Sequence, residues 1–234
     1  PLAVKLEVLM RTVTGMHHIT AIAGDPQENL DFYTGVLGMR LVKKSINQDV
    51  PDTYHLFFAD SDGNPGTDLT FFPWPQLPPR RDGIGHWGEI ALTVPAGSLS
   101  FWQDRLGSSG IEADAVLERF GERTISFTDP HGLRLALVES APYEGFAFAP
   151  WERSPVPADH QVRGFAGIRL EERQSDATVG FFAEGLGFGE GERDGEWTRF
   201  TLGDGAAGRR IDLRVDPNAN RGHWGVGAVH HVAW

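Results

Sequence analysis

Three times in this chain an aromatic residue is followed, four positions on, by a Leu-Gly pair: Tyr33 before Leu37-Gly38, Trp102 before Leu106-Gly107, and Phe182 before Leu186-Gly187. Residues four apart share one face of a helix, so each aromatic–leucine pair predicts an amphipathic helix packed along one edge. The glycine falls where a helix commonly ends with φ > 0. The leucines are 69 and then 80 residues apart, which makes the repeating unit a whole supersecondary module.

The surroundings of each helix repeat as well. Alternating, strand-like segments precede them: 17–25 (HHITAIAGD), 88–98 (GEIALTVPAGS) and 165–173 (FAGIRLEER). Strand-like runs broken by a glycine turn follow them, at 53–73, 123–138 and 197–215. The module is therefore strand, helix, then two or three antiparallel strands. Its recurrence predicts a first pair of modules over 15–140 (about 15–75 and 86–140), a Pro- and aromatic-rich linker over 141–162, and a third module from 163. That linker is long for a loop inside a domain, and its aromatic residues can either join two halves or cover a pocket. At Val229–Trp234 a fourth module begins with one strand, VHHVAW, and the expectation is that this module is truncated. The opening PLAVKLEVLMRTVTG reads as an extension or a leading strand, because it has no basic region followed by a cleavage site.

Composition narrows the function. The formal charge of −11, from 21 basic and 32 acidic residues, argues against a nucleic-acid or anionic-membrane surface. With no cysteine, disulfides, thiolate metal sites and thiol nucleophiles are all excluded. No run approaches the roughly 20 apolar residues that span a bilayer, so the expected location is cytoplasmic. No GxSxG elbow or Walker lysine supports a serine hydrolase or a P-loop.

Four of the nine histidines form two pairs, His17-His18 and His230-His231, at matching points of the repeat. Neighbours on a strand point to opposite faces, so each pair offers one imidazole to a given pocket. His18, Thr20 and Ile22 share one face and His17, Ile19 and Ala21 the other; periodicity does not choose between them. Two strands each bringing one histidine inward would give one metal two nitrogen ligands, whereas the bland reading keeps the pairs structural. His55 reads as an ordinary half-buried residue of an apolar strand, and His131 as a solvated turn residue. Superposing the Leu-Gly motifs sets His86 against His17 and Trp87 against His18. Phe72 and Trp74 can line an apolar pocket or simply pack.

The segments HHITAIAGDPQENLDFYTGVLGMRLVKKSIN, TYHLFFADSDGNPGTDLTFFPWP and HHVAW together resemble the vicinal oxygen chelate superfamily (glyoxalase, bleomycin resistance and extradiol dioxygenase proteins), and within it the hydroquinone-type ring-cleaving dioxygenases. The resemblance implies an α+β fold in which βαβββ modules pair into open, cup-like mixed β-sheets. It implies a mononuclear Fe(II) held by two histidines and a glutamate, leaving positions for a small aromatic substrate and O₂. His18 and His231 match the ligand positions. His17, His230 and Thr20 match surrounding positions, with His17 or His230 as the acid–base group. The implied glutamate falls beyond residue 234. Thr70 and Ala136, at the corresponding strand positions of the first two modules, cannot replace it, and Asp212 in the third is the one carboxylate that could. The implied activity is ring cleavage of hydroquinone- or catechol-like phenols, impaired in the chain as it stands. A glyoxalase-like metal-dependent isomerase or lyase and a metal-free binding protein are the alternatives, and exposed sheet edges suggest a homodimer.

Overall fold

A computed structural model describes residues 13–48, 50–140 and 147–234. Most of the opening segment (1–12) and the start of the linker (141–146) lie outside the described residues.

The first module contains β1 (His18–Ala23), α1 (Pro26–Leu30), β2 (Arg40–Ile46), β3 (Tyr54–Ala59) and β4 (Asp68–Pro73). The second contains β5 (Trp87–Pro95), α2 (Leu99–Ser108), β6 (Leu117–Arg119), β7 (Glu122–Thr128) and β8 (Arg134–Ser140). The third repeats the order with β9 (Gly164–Glu172), α3 (Asp176–Gly180), β10 (Gly189–Asp194), β11 (Trp197–Thr201) and β12 (Arg210–Val215), and β13 (Val229–Ala233) follows. The expected βαβββ module is present three times.

The helices form for the reasons the motif supplies. Asp25 caps α1 by accepting from the backbone N–H groups of Gln27 and Glu28, with Pro26 preset for the first turn. Tyr33, Leu37, Trp102 and Leu106 are completely buried and Phe182 nearly so. α1 and α3 continue into wider turns, Asp31–Val36 and Phe181–Leu186, and there Gly38 (φ +69°) and Gly187 (φ +81°) close the helix as expected. Gly107 does not. α2 keeps regular α geometry through Ser108, and Gly110 (φ +74°) takes the left-handed position instead.

Two mixed sheets result. One is a curled half-barrel in the order β13-β1-β4-β3-β2, and the other has the order β10-β11-β12-β9-β5-β8-β7-β6. The expected grouping of the first two modules over 15–140 is not the one the ladders make. The second and third modules share a sheet through β5 and β9, and the first module pairs with β13 through β1. In both cases the first strands of two modules run antiparallel to each other, which closes an edge each module would otherwise expose.

The sheets are tied together by main-chain bonds at the turn glycines, such as Phe165 N–H to Gly66 O at 2.8 Å and Met16 N–H to Gly208 O at 2.8 Å. One apolar cluster runs through both halves. The buried Tyr33 hydroxyl donates to Asp129 Oδ2 at 3.0 Å, joining the first helix to the turn before β8. Burial, aided by the neighbouring Asp129 carboxylate, pushes the Tyr33 phenol above its ordinary range. The described part of the linker is not a free connector. Ala149 N–H donates to Asp60, Ser154 Oγ donates to Gly38 O at 2.7 Å, and Val156 is buried in the core. A side chain at residue 38 would collide with Ser154 and Val156, so this glycine is needed for close approach as well as for its φ. Residues 78–84 run along 220–226 through paired bridges, crossing from one sheet to the other.

Candidate functional site

Pairing register decides which side chains share the concave face of the half-barrel. Thr20 of β1 lies opposite His231 of β13 and beside Thr70 of β4; Phe57 of β3 lies opposite Thr70. Paired residues project to the same side, and alternate positions along a strand do likewise. His18, Thr20, His55, Thr70, Phe72 and His231 therefore gather on one face, which settles the question that periodicity left open.

At its centre His18 Nε2 and His231 Nε2 are 3.2 Å apart. Thr20 Oγ1 is 3.1 Å from His231 Nε2 and 2.7 Å from Thr70 Oγ1, and Thr70 in turn is 2.9 Å from His55 Nε2. Each inner imidazole also meets the histidine before it. His17 Nδ1 is 3.0 Å from His18 Nδ1, and His230 Nδ1 is 2.8 Å from His231 Nδ1. All five residues singled out in the sequence thus meet in one network.

Strict alternation fails at one of the two pairs. The ladder between β1 and β13 jumps from Thr20–His231 to Ala21–Val229, so His230 is the extra residue of a β-bulge. A bulge re-aims side chains. The His230 ring lies 5.2 Å from Phe72, 5.7 Å from Trp74 and 5.7 Å from Trp224, so Phe72 and Trp74 form an aromatic wall beside the histidines.

Electrostatics keep the inner imidazoles neutral. Burial, then the neighbouring His231 and His17, lowers His18 to about 4. Burial lowers His55 to about 4 as well, reinforced by His18, His231, Lys43 and His230. His231 is lowered by burial and by His230. Desolvation penalises the charged form, and neighbouring imidazoles would repel a second proton.

Two members of this site were not identified from sequence. His55 is not the ordinary strand residue expected; it belongs to the network, and Thr70 bridges it to Thr20. No local sequence signal marked them: β4 runs parallel to β1, and that register sets Thr70 beside Thr20. Asp212 stands elsewhere, in the other sheet, accepting from Arg199 and Arg169. Among the described residues no group of three ligating side chains is assembled. His86 and Trp87 are not the second-module counterparts of His17 and His18 that the helix motifs suggest. The β5–β9 pair sets Glu89 opposite Arg169 and Ala91 opposite Gly167, and so places Glu89 at His18's ladder position.

The profile of the Glyoxalase/Bleomycin resistance protein/Dioxygenase superfamily matches residues 15–137. The Bacillus subtilis protein MhqO, named as a candidate ring-cleaving dioxygenase, is 42% identical over 97% of this chain and 70% of its own length. The chlorohydroquinone/hydroquinone 1,2-dioxygenase of Sphingobium indicum is 33% identical over 97% of this chain and 71% of its own. A crystal structure of a candidate dioxygenase from Bacillus subtilis superposes with a TM-score of 0.84 at 42% identity, covering 95% of this chain and 70% of that one. No helix among the described residues is long and apolar enough to cross a membrane. The chain belongs to the glyoxalase/bleomycin resistance protein/dioxygenase superfamily.

Proposed function

We propose that this protein is an Fe(II)-dependent ring-cleaving dioxygenase acting on hydroquinone- or catechol-like phenols, with His18 and His231 as its nitrogen ligands. The observation that carries the reading is the convergence of the two Nε2 atoms at 3.2 Å. Nitrogens held at right angles about 2.1 Å from one metal lie about 3 Å apart, so the pair fits a shared ion. Both imidazoles are favoured in the neutral form, the one with a lone pair to donate. The third ligand in this reading is the glutamate implied beyond residue 234. When bound, iron would supply the redox chemistry through which O₂ reacts with a dihydroxylated ring.

The chain's own residues have separate tasks. Thr70 fixes the Thr20 hydroxyl, and Thr20 holds the substrate hydroxyl when His231 no longer needs it as a partner. His17 and His230 orient the two inner rings through their Nδ1 atoms, and either can accept the phenol proton. Phe72 and Trp74 present flat apolar surfaces to the ring and exclude water.

Oxygen consumption by the Fe(II)-loaded full-length protein with hydroquinone tests the proposal. Uptake should be lost in His231→Ala and fall by about 100-fold or more in His230→Ala or His17→Ala if the replaced ring is the acid–base group. Turnover that continues without O₂ would contradict it and favour a metal-dependent isomerase.

A further inference from the structure

The second sheet holds a cavity of about 340 Å³ whose walls include Arg80, Arg119, Arg134, Arg169, Leu170 and Trp197. Among its lining residues five arginines, Arg214 being the fifth, meet three carboxylates, Asp82, Glu89 and Glu171. Glu89, only 7% exposed, accepts from three guanidinium groups at once: Arg119 Nη1 at 3.2 Å, Arg134 Nε at 3.3 Å, and Arg169 Nη1. Asp212 helps from the floor, with Arg169 Nε at 3.3 Å, but it is shared with Arg199. The remaining partners, Asp82 beside Arg80, Asp114 beside Arg134, and Glu171 and Glu196 beside Arg214, have side chains 83%, 50%, 31% and 80% exposed. Water and salt screen such rim charges far more than the buried guanidiniums of Arg80 and Arg169, which are 7% and 4% exposed.

The crowding has a visible cost. Burial lowers the Arg119 guanidinium from its ordinary range, and Arg169 and Arg134 lower it further while Glu89 offsets only part. Among the described residues Arg119 makes one side-chain hydrogen bond, through Nη1, so further N–H donors remain to receive an anion. The lining also includes the apolar groups of Leu170 and Trp197, and the Arg214 guanidinium lies over the Trp197 ring at 5.4 Å.

We infer that this cavity is a second ligand site, separate from the histidines, that takes a small carboxylate with a flat apolar body. Guanidinium forks match a carboxylate, and the Trp197–Leu170 wall receives a ring. Benzoate is the direct probe, with benzamide as its neutral isostere and inorganic phosphate as an anion without an apolar body. Calorimetry on the metal-free protein should show saturable benzoate binding, weaker phosphate binding and none for benzamide. Benzoate should quench Trp197 fluorescence, and that signal should vanish in Trp197→Phe. Arg119→Gln and Arg134→Gln, each tested for native circular dichroism, should weaken benzoate binding by about tenfold or more. Both positions are partly exposed, so one variant suffices if the other does not fold. His231→Ala should bind benzoate as the parent does, so this site can stand if the iron reading falls. Benzamide binding as tight as benzoate, phosphate binding as tight as benzoate, or unchanged affinity in a folded arginine variant would overturn the inference.

Discussion

In the half-barrel, the β1–β13 pair sets Thr20 opposite His231, with His18 two residues away on the same face. In the second sheet, the corresponding β5–β9 pair sets Ala91 opposite Gly167, with Glu89 at the position of His18 and Arg169 opposite it. The backbone frame is shared and the linings are opposite. Imidazoles and hydroxyls face one another in the first, and guanidinium groups and carboxyl groups in the second. The histidine face leaves lone pairs available, at the expense of weak internal cohesion. On the arginine face Arg119, Arg134, Arg169 and Arg199 donate to Glu89 and Asp212, and these bonds tie six strands together. The repeat therefore supplies two similar scaffolds, and a few ladder positions decide which is lined by imidazoles and which by charged side chains.

The largest expected effect lies on the charged side. Asp212→Ala leaves Arg169 and Arg199 buried without their shared partner, and should cost about 3–5 kcal/mol in urea denaturation. His231→Ala, by contrast, removes a half-buried neutral ring and should cost about 1 kcal/mol or less by the same measurement. Equal losses in the two variants would erase the distinction between the faces. Tyr33→Phe tests the tie between the modules. It strands a buried Asp129 oxygen, and the loss should be about 1–3 kcal/mol.

Acid should act mainly on the histidine face. His18 and His55 sit near 4 and His231 is also lowered, whereas unfolded imidazoles titrate near 6.5. Between those limits the unfolded chain binds more protons, so the metal-free protein should lose stability as pH falls from about 6.5 to about 4. Asp68 works in the other direction. Its buried carboxyl is raised to about 6, so it loses stability as pH rises from about 4 to about 6. Burial raises the Asp129 carboxyl as well; the three lowered imidazoles act against these two carboxyls, and the net slope should remain positive. Thermal melts across this range would show it, and a flat profile in the His18→Ala, His55→Ala double variant would assign it. The smallest effect is expected from Thr70→Val. It should shift stability by about 1 kcal/mol while breaking the link from Thr20 to His55, which histidine NMR titration would detect.

Much of this was legible in the sequence, for identifiable reasons. The aromatic–leucine spacing located the helices because burial of one helix edge leaves a period of four. The paired histidines at matching repeat positions picked out four rings that converge in the structure. Three things were not legible. Module pairing depends on which sheet edges meet, so nothing local distinguished first-with-second from second-with-third. His230 lies in a bulge, and a bulge changes side-chain direction without altering the residue pattern. His55 and Thr70 enter the site through the parallel β1–β4 register, a contact across 50 residues of chain between Thr20 and Thr70. The helix-based alignment misplaced His86 and Trp87 for a related reason: strand register, not distance from the helix end, decides what occupies the equivalent position.

Anaerobic equilibrium dialysis of Fe(II) against the full-length parent protein and its His231→Ala and Arg119→Gln variants addresses the difference between the two faces most directly. The proposal predicts saturable binding approaching one iron per chain in the parent and in Arg119→Gln, and its loss in His231→Ala. Iron that binds equally well without His231, or that is lost with Arg119 in a folded variant, would contradict it.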